Sequence, residues 1–364
     1  MAFFLGYETA LACLRALERI GELERTRAMP KAKSVPDAKL LKSAIGRLPS
    51  HLSKAALQTK PTLIILDAES RCRSKEIDTH QFGLPDNTRC FLMLGEELYL
   101  ASPELCFAQV ARRSTEVELM KLGFELCGSY SLDPSRNVGF KNRPALTTKD
   151  AILKLLASLP NNCPASARKA IRFVRDGSAS PMETCLALFL GLPVRFGGYG
   201  LGMPRMNAEI AIGTHSSLST NHRLYHCDLY WEESQVALEY NSREFHMSEK
   251  AAERDASRVN DLLGSGIKSV SVTRKHVADP SKMDIVAHSL AKMMGKRMRT
   301  DCTNVKERRA DAQYIISPFR SSDGEFTLNI PELKIPKGAV VAVLGNNGTG
   351  KSTFARCLCG LVRK

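Results

Sequence analysis

Apolar and polar positions along the chain predict a mixture of strands and helices. Strands are predicted where the apolar residues run continuously or alternate strictly, over residues 62–66, 90–94, 225–231, 236–241, 267–273 and 339–344. Two of these segments flank the four-residue turn 232–235, a length typical of a β-hairpin. Strands and helices share the chain throughout, so the fold class predicted is α/β.

Helices are indicated by apolar residues every three to four positions and by capping residues at their starts. Ser102 precedes Pro103, which suits the first helical position. Thr115 and Glu118 have the spacing of a capping box. Further helices are predicted to begin at Ser180, to span 150–159 and 166–174, and to begin near Ser281 and Asp284.

Four regions follow from this pattern. A mixed α+β region occupies residues 1–140, a more regular α/β region 141–300, a charged linker 301–312, and a last segment 313–364. The polar run 133–144 is predicted to be a loop or linker. The glycine-rich run 197–202 is interpreted as a turn, because no predicted strand precedes it as a dinucleotide fingerprint requires.

Composition favours a globular protein with an anionic partner. Of the 364 residues 43% are hydrophobic and 25% charged, which is typical of a soluble globular protein and does not favour a disordered chain. The formal net charge is +14, and nucleic acid is a commoner partner for such a chain than a membrane surface. DNA is therefore the expected macromolecular ligand.

Cysteine usage and the N-terminus indicate a cytoplasmic protein. The eleven cysteines are odd in number and irregularly spaced, which favours reduced thiols over a disulfide framework. The apolar start 1–5 is interrupted by Glu8 and Arg15 before a signal sequence or membrane span develops. No membrane-spanning segment is predicted.

The last segment contains a phosphate-binding loop. The loop comprises Gly345, Asn346, Asn347, Gly348, Thr349, Gly350, Lys351, Ser352 and Thr353, which fit the pattern G-x-x-x-x-G-K-[ST]. Its glycines let backbone N–H groups surround phosphate oxygens, Lys351 adds a positive charge, and the Ser352 hydroxyl can ligate Mg²⁺. A buried strand precedes the loop and a helical pattern follows it, so the predicted ligands are ATP and Mg²⁺.

Residues 326–361 resemble the start of an ABC transporter ATPase of the energy-coupling-factor type. The resemblance rests on Phe326, on the Ile335-Pro336 turn, on the loop itself and on the helix after it. It implies ATP binding. ATP hydrolysis is not expected, because the family's signature motif, Walker B carboxylates and switch histidine have no counterpart in this sequence. A fusion of unrelated pieces would explain the combination.

The predicted hairpin places two carboxylates side by side. In a symmetric hairpin Trp231 opposes Val236, Leu229 opposes Leu238 and Cys227 opposes Tyr240, which makes one uninterrupted apolar face. On the other face Asp228 lies across from Glu239, with Asn241 next along the strand. Directly opposed residues lie about 5 Å apart at Cβ, close enough for both carboxylates to bind one cation. A Mg²⁺ site that can activate water is the prediction, and a pair of solvated hairpin residues is the alternative.

Residues 178–277 resemble the PD-(D/E)XK nucleases, in particular their very-short-patch-repair-like branch. Asp228 and Glu239 carry the motif, and Glu183 matches a glutamate that the first helix brings to the metal. The resemblance implies that Glu183, Asp228, Glu239, Asn241 and His246 form the catalytic site, with Asn241 in place of the usual lysine. Asn241 cannot act as a base.

The same region offers a basic helix face and a second, weaker resemblance. Arg254 and Arg258 are four residues apart, so one helical face could hold DNA phosphates; an ordinary solvated helix face is the alternative. Residues 102–107 and 178–184 resemble bacterial abortive-infection proteins. Three functions remain open: a metal-dependent DNA endonuclease, an ATP-binding component of an ABC transporter, and a catalytically silent DNA-binding regulator or abortive-infection antitoxin.

Overall fold

The computed structural model describes residues 2–298 except for 22, 27–34, 66–67, 73, 85–87, 137, 160–163, 213–222 and 242–261. The chain divides into two units, Met1–Pro318 and Phe319–Lys364, and the described residues all belong to the first. The phosphate-binding loop and the residues His246, Arg254 and Arg258 lie outside the described residues. The described helices and mixed sheets confirm the α/β class.

A six-stranded sheet forms the first layer of the structure. Its strands are β1 (Phe3–Leu5), β2 (Arg25–Thr26), β3 (Thr62–Ile65), β4 (Asp78–Gln81), β5 (Phe91–Met93) and β6 (Leu98–Ala101), in the order β2-β5-β6-β1-β3-β4. The apolar start of the chain is thus an inner strand, parallel to β6 and antiparallel to β3. Helices α1 (Tyr7–Ala16), α2 (Ala38–Gly46) and α3 (Ser50–Leu57) connect β1 to β3 with β2 between them.

Helices and a small hairpin connect this sheet to the second one. They are α4 (Pro103–Val110), α5 (Glu116–Leu126), β7 (Tyr130–Leu132), β8 (Phe140–Asn142), α6 (Lys149–Ser158) and α7 (Ala165–Ala170), followed by a 3₁₀ turn at Ile171–Phe173. The predicted caps are confirmed: Ser102 caps α4, and Thr115 and Glu118 form the capping box of α5. The polar run 133–144 is not a simple loop, because it contains β8, which pairs with β7.

The second sheet has four strands in the order β12-β11-β10-β9. Its region comprises α8 (Pro181–Gly191), a 3₁₀ turn at Val194–Phe196, β9 (Arg205–Ile212), β10 (Arg223–Trp231), β11 (Val236–Asn241), β12 (Lys268–Thr273), α9 (Arg274–Ala278) and α10 (Pro280–Met293). β11 and β12 are parallel and the other neighbours antiparallel. The cap of α10 is Asp279, two residues before the predicted Ser281, because Pro280 takes the first helical position.

One apolar cluster runs through both sheet regions, from Phe3 to Ala291. All eight residues of α4 and nine of the eleven residues of α8 are buried, so both helices are enclosed on nearly all sides. The proposed boundary at residue 140 stays a prediction. None of the described cysteines forms a disulfide, and no described helix has the length and apolarity that crossing a bilayer requires.

Candidate functional site

Hydrogen bonds to Glu183 stabilise the N-terminus of α8. Ser180 is the N-cap: its hydroxyl accepts from the backbone N–H of Glu183 (3.2 Å) and donates to Glu183 Oε1 (2.9 Å). The other carboxylate oxygen accepts from the backbone N–H of Ala179 (2.8 Å) and from Asn207 Nδ2 (2.6 Å). Glu183 is only 8% exposed. Three donors therefore stabilise this buried carboxylate.

Asn207 joins β9 to the loop before α8. Its Nδ2 donates to the backbone carbonyl of Gly177 (2.9 Å) as well as to Glu183. Its φ of 44° lies in the left-handed region, which asparagine tolerates better than most residues with a side chain. Sequence reasoning missed Asn207. Asn207 occupies a polar position in the alternation 205–210, between Arg205 and Glu209, so no local signal distinguished it.

The strand pair β9–β10 changes face at this point. The ladder pairs Cys227 with Ala208 and Leu229 with Met206, and it skips Asp228 and Asn207 between them. Met206 and Leu229 belong to the main apolar cluster, whereas Ala208 and Cys227 belong to a second one on the other side. The left-handed residue therefore reverses the alternation, although neither strand gains an extra residue.

The predicted uninterrupted apolar face is therefore wrong at one position. The hairpin register is as predicted for Trp231 with Val236 and for Leu229 with Leu238. Cys227, however, packs on the opposite side from Leu229, together with Ala237. The turn length and the alternation predict the register near the turn, but they cannot predict the irregularity at Asp228.

The irregularity turns the Asp228 carboxylate toward the next strand. Its Oδ2 accepts from the backbone N–H of Tyr240 in β11 (2.7 Å). The negative charge of Asp228 also reaches Glu183. Burial is the main cause that raises the pKa of Glu183, and the charge of Asp228 raises it further, against the hydrogen bonds from Ala179 and Asn207. A glutamate from α8 and an aspartate from β10 thus approach each other.

Glu239 and Asn241 lie on β11 on either side of Tyr240, and both are half-buried. In the parallel ladder they oppose Ser271 and Thr273 of β12. The structure therefore brings Glu183, Asp228, Glu239 and Asn241 to one region of the second sheet. Within the described ranges, no group of three or more His, Cys, Asp or Glu side chains has the geometry to hold a metal ion.

The sequence of the last segment matches a known family. The model of the ABC transporter family matches residues 328–364, about a tenth of the chain, and this confirms the resemblance of that segment. The match covers the whole phosphate-binding loop 345–353, and it supports the binding of ATP and Mg²⁺ in general terms. No solved structure matches the chain. The resemblance of residues 178–277 to nucleases stays a prediction.

Proposed function

We propose that the region around the second sheet acts on nucleic acid as a metal-dependent endonuclease of PD-(D/E)XK type. The observation that carries the proposal is the paired irregularity at Asn207 and Asp228. A non-glycine residue held in the left-handed region is a form of backbone strain that concentrates at functional sites. Here the irregularity directs one carboxylate toward β11 and links Asn207 to a second carboxylate.

The donor set suits Mg²⁺ in its usual protein form. Mg²⁺ commonly takes one or two carboxylates and keeps several water molecules. Asp228 and Glu239 would hold the ion, and the amide oxygen of Asn241 is a third oxygen donor. Glu183 is already fixed by three donors, so its role is to add negative charge beside Asp228. A bound Mg²⁺ supplies Lewis-acid polarisation of a phosphodiester and an activated water.

Plasmid nicking tests the proposal. Supercoiled DNA is incubated with Mg²⁺ or Mn²⁺ and with the wild-type protein, the Asp228→Ala variant, or a control variant, Glu209→Ala. Glu209 is an exposed carboxylate on β9, its side chain 63% exposed. We expect nicking by wild type and control and none by Asp228→Ala. Nicking that survives Asp228→Ala unchanged would contradict the assignment.

A protein that binds DNA but nicks nothing would support the regulator alternative. The Asn241 amide favours this outcome because it cannot replace the positive charge of a lysine. Calorimetric titration with Mn²⁺ separates the two cases without relying on activity. Binding that is lost in both Asp228→Ala and Glu239→Ala supports the metal site, whereas equal binding in all variants argues against it.

A second function is favoured by the family match: the last segment binds ATP. Lys351 is the residue that would contact the phosphates, and Ser352 the one that would reach Mg²⁺. Losing a charge-assisted contact weakens binding by about tenfold or more. Titration with a fluorescent ATP analogue should show this loss in Lys351→Ala and not in the control Lys337→Ala, which lies outside the loop. Equal affinity in both variants would contradict it.

A further inference from the structure

Two short turns with nearly the same sequence pack against each other. Ile171–Phe173 and Val194–Phe196 are both 3₁₀ turns, and each ends in the dipeptide Arg-Phe. The rings of Phe173 and Phe196 pack edge to face, with centroids 5.5 Å apart and an interplanar angle of 73°. Arg172 and Arg195, one residue before each ring, are both exposed. The ring contact therefore brings together two chain segments that each carry an exposed arginine.

The Arg195 side chain is ordered by its own neighbour. Its guanidinium carbon lies 4.9 Å from the centroid of Phe196, a cation–π contact. Gly197 ends the turn at φ 82°, and a Cβ on Gly198 would collide with the backbone carbonyl of Leu192. Only glycine fits that close approach. The turn is consequently fixed, and its arginine is presented from a rigid base.

Two further cations gather beside Arg172. Its backbone carbonyl accepts from Lys149 Nζ (3.3 Å) and from Arg175 Nη1 (3.1 Å), so both positive groups lie within hydrogen-bond distance of one oxygen. Burial lowers the pKa of Lys149, and the positive charge of Arg175 lowers it further. The nearby acidic groups, Asp176 and Asp150, do not outweigh these effects. Asp176 also accepts from the backbone N–H of Lys149 (2.7 Å), so the cluster contains acidic groups beside its cations.

The cluster is connected to the candidate site through the chain itself. Arg175 lies two residues before Gly177, whose carbonyl accepts from Asn207. The same Asn207 nitrogen donates to Glu183, whose pKa is raised in part by the charge of Asp228. The cations are therefore linked to the carboxylates through the segment 175–177 and the side chain of Asn207.

We propose that Lys149, Arg172, Arg175 and Arg195, on the Phe173–Phe196 pair, bind the phosphate backbone of a nucleic acid and lead it to Asp228. This inference rests on the proposed function, since it assigns the substrate-binding surface of the same site. Arginine is suited to phosphate because its planar fork donates two parallel hydrogen bonds. Contacts of this kind are independent of base sequence, so they position the nucleic acid and do not select it.

Salt-dependent binding of labelled DNA tests the proposal. Fluorescence anisotropy is measured between about 50 and 200 mM salt for one single strand and for its duplex. The double variant Arg172→Ala/Arg195→Ala changes only exposed side chains. Its control, Arg47→Ala/Arg113→Ala, removes two exposed arginines of the first sheet region. Circular dichroism confirms that both variants fold.

The expected result is a smaller salt dependence in the first variant alone. Each lost phosphate contact lowers the slope of log affinity against log salt by about one, so the double variant should lose about two. Affinity near 0.1 M salt should fall by up to about tenfold per contact, for the single strand, the duplex or both. Wild-type affinity and slope in the double variant would overturn the proposal. So would absence of DNA binding by the wild type, or binding to phosphatidylserine vesicles in place of DNA.

The nuclease assignment can fail separately. Asp228→Ala leaves all four cations in place, so DNA binding without nicking keeps this inference and removes the catalytic one. If the variant Arg172→Ala/Arg195→Ala still nicks DNA and binds it with wild-type affinity, the catalytic assignment stands and the proposed binding surface is wrong.

Discussion

The two sheet regions each bury glutamates, but they treat the charge in opposite ways. Glu104 and Glu125, beside the six-stranded sheet, are 4% and 2% exposed, and Glu183, beside the four-stranded sheet, is 8% exposed. The pKa is lowered for the first two and raised for the third. Burial raises the pKa in all three cases, so the partners decide the direction.

In the first region each glutamate faces a guanidinium. Arg15 binds Glu125 through two hydrogen bonds (2.8 and 2.7 Å), and Arg25 contacts Glu104 at 3.1 Å. Burial alone would raise the pKa of Glu125, but the charge and hydrogen bonds of Arg15 outweigh it. These carboxylates are compensated and join distant parts of the chain.

In the second region the neighbour of Glu183 is another carboxylate. Dipolar donors hold the Glu183 charge in place, yet they leave its pKa raised. Burying like charges together destabilises a fold unless a cation joins them. The comparison therefore separates a structural use of buried carboxylates from one that suits the binding of a cation.

The largest effect should come from Arg15→Met. It keeps much of the apolar stem but leaves Glu125 buried without its cation, and breaking a buried pair in this way costs about 3 kcal/mol or more. Chemical denaturation at neutral pH measures the loss. The loss should shrink in acid: the lowered pKa means that Glu125 stabilises the fold above its unfolded pKa, and this stabilisation disappears as the pH falls through the folded pKa.

The control for Arg15→Met is Arg113→Met. Arg113 pairs with Glu8 at 3.3 Å, and both side chains are about half exposed. Exposed pairs contribute about 0–1 kcal/mol. Equal losses in the two variants would mean that burial of Glu125 does not decide its role.

A smaller loss is expected from Asn207→Ala. The variant removes the hydrogen bonds to Gly177 and Glu183 and places alanine in the left-handed region. Together these changes should destabilise the fold by about 2–3 kcal/mol. The pKa of Glu183 should rise further, because one of the donors that lower it is lost. Denaturation at several pH values measures both effects, and a loss below about 0.5 kcal/mol would show that Asn207 does not hold the site.

Much of the second region could be predicted because its signals are local. The Ser180–Glu183 capping interaction lies within four residues, and the turn length set the pairing of Leu229 with Leu238. The same argument placed Asp228 and Glu239 on adjacent strands. Local spacing thus identified the candidate carboxylates and the elements that position them.

Long-range pairing could not be predicted from the sequence pattern. β1 has three residues, too few to show a period, and its parallel partner β6 lies more than 90 residues away. Arg15 and Glu125 are 110 residues apart. The left-handed Asn207 depends on contacts with Gly177 and Glu183, which only the folded chain brings together. No strand was predicted for β9, although polar and apolar residues alternate over 205–210.

Asp228→Asn should change stability in the opposite direction from Arg15→Met. The raised pKa of Glu183 means that its contribution is favourable at low pH and is lost as the pH rises through the folded pKa. Removing the neighbouring charge reduces that loss, while the new side chain can still accept from the Tyr240 N–H. We expect a gain of about 1 kcal/mol at neutral pH that vanishes in acid. An equal destabilisation at both pH values would contradict the like-charge argument.

The smallest effect is expected when the two left-handed residues Asn207, at the candidate site, and Gln235, in an ordinary turn, are each replaced by glycine. Gln235 has φ 53° at the end of the 3₁₀ turn Glu232–Ser234, and it is exposed. Glycine adopts this conformation without strain, so Gln235→Gly should be stabilising by about 0.5 kcal/mol after the entropy of the unfolded chain is counted. Asn207→Gly gains the same backbone relief but loses two hydrogen bonds, so it should be destabilising. Thermal unfolding of the two variants therefore tests whether side-chain contacts hold Asn207 in place. If both glycine variants were stabilising, the left-handed conformation of Asn207 would be a feature of the strand alone, and the link from Gly177 to the carboxylates would lose its support.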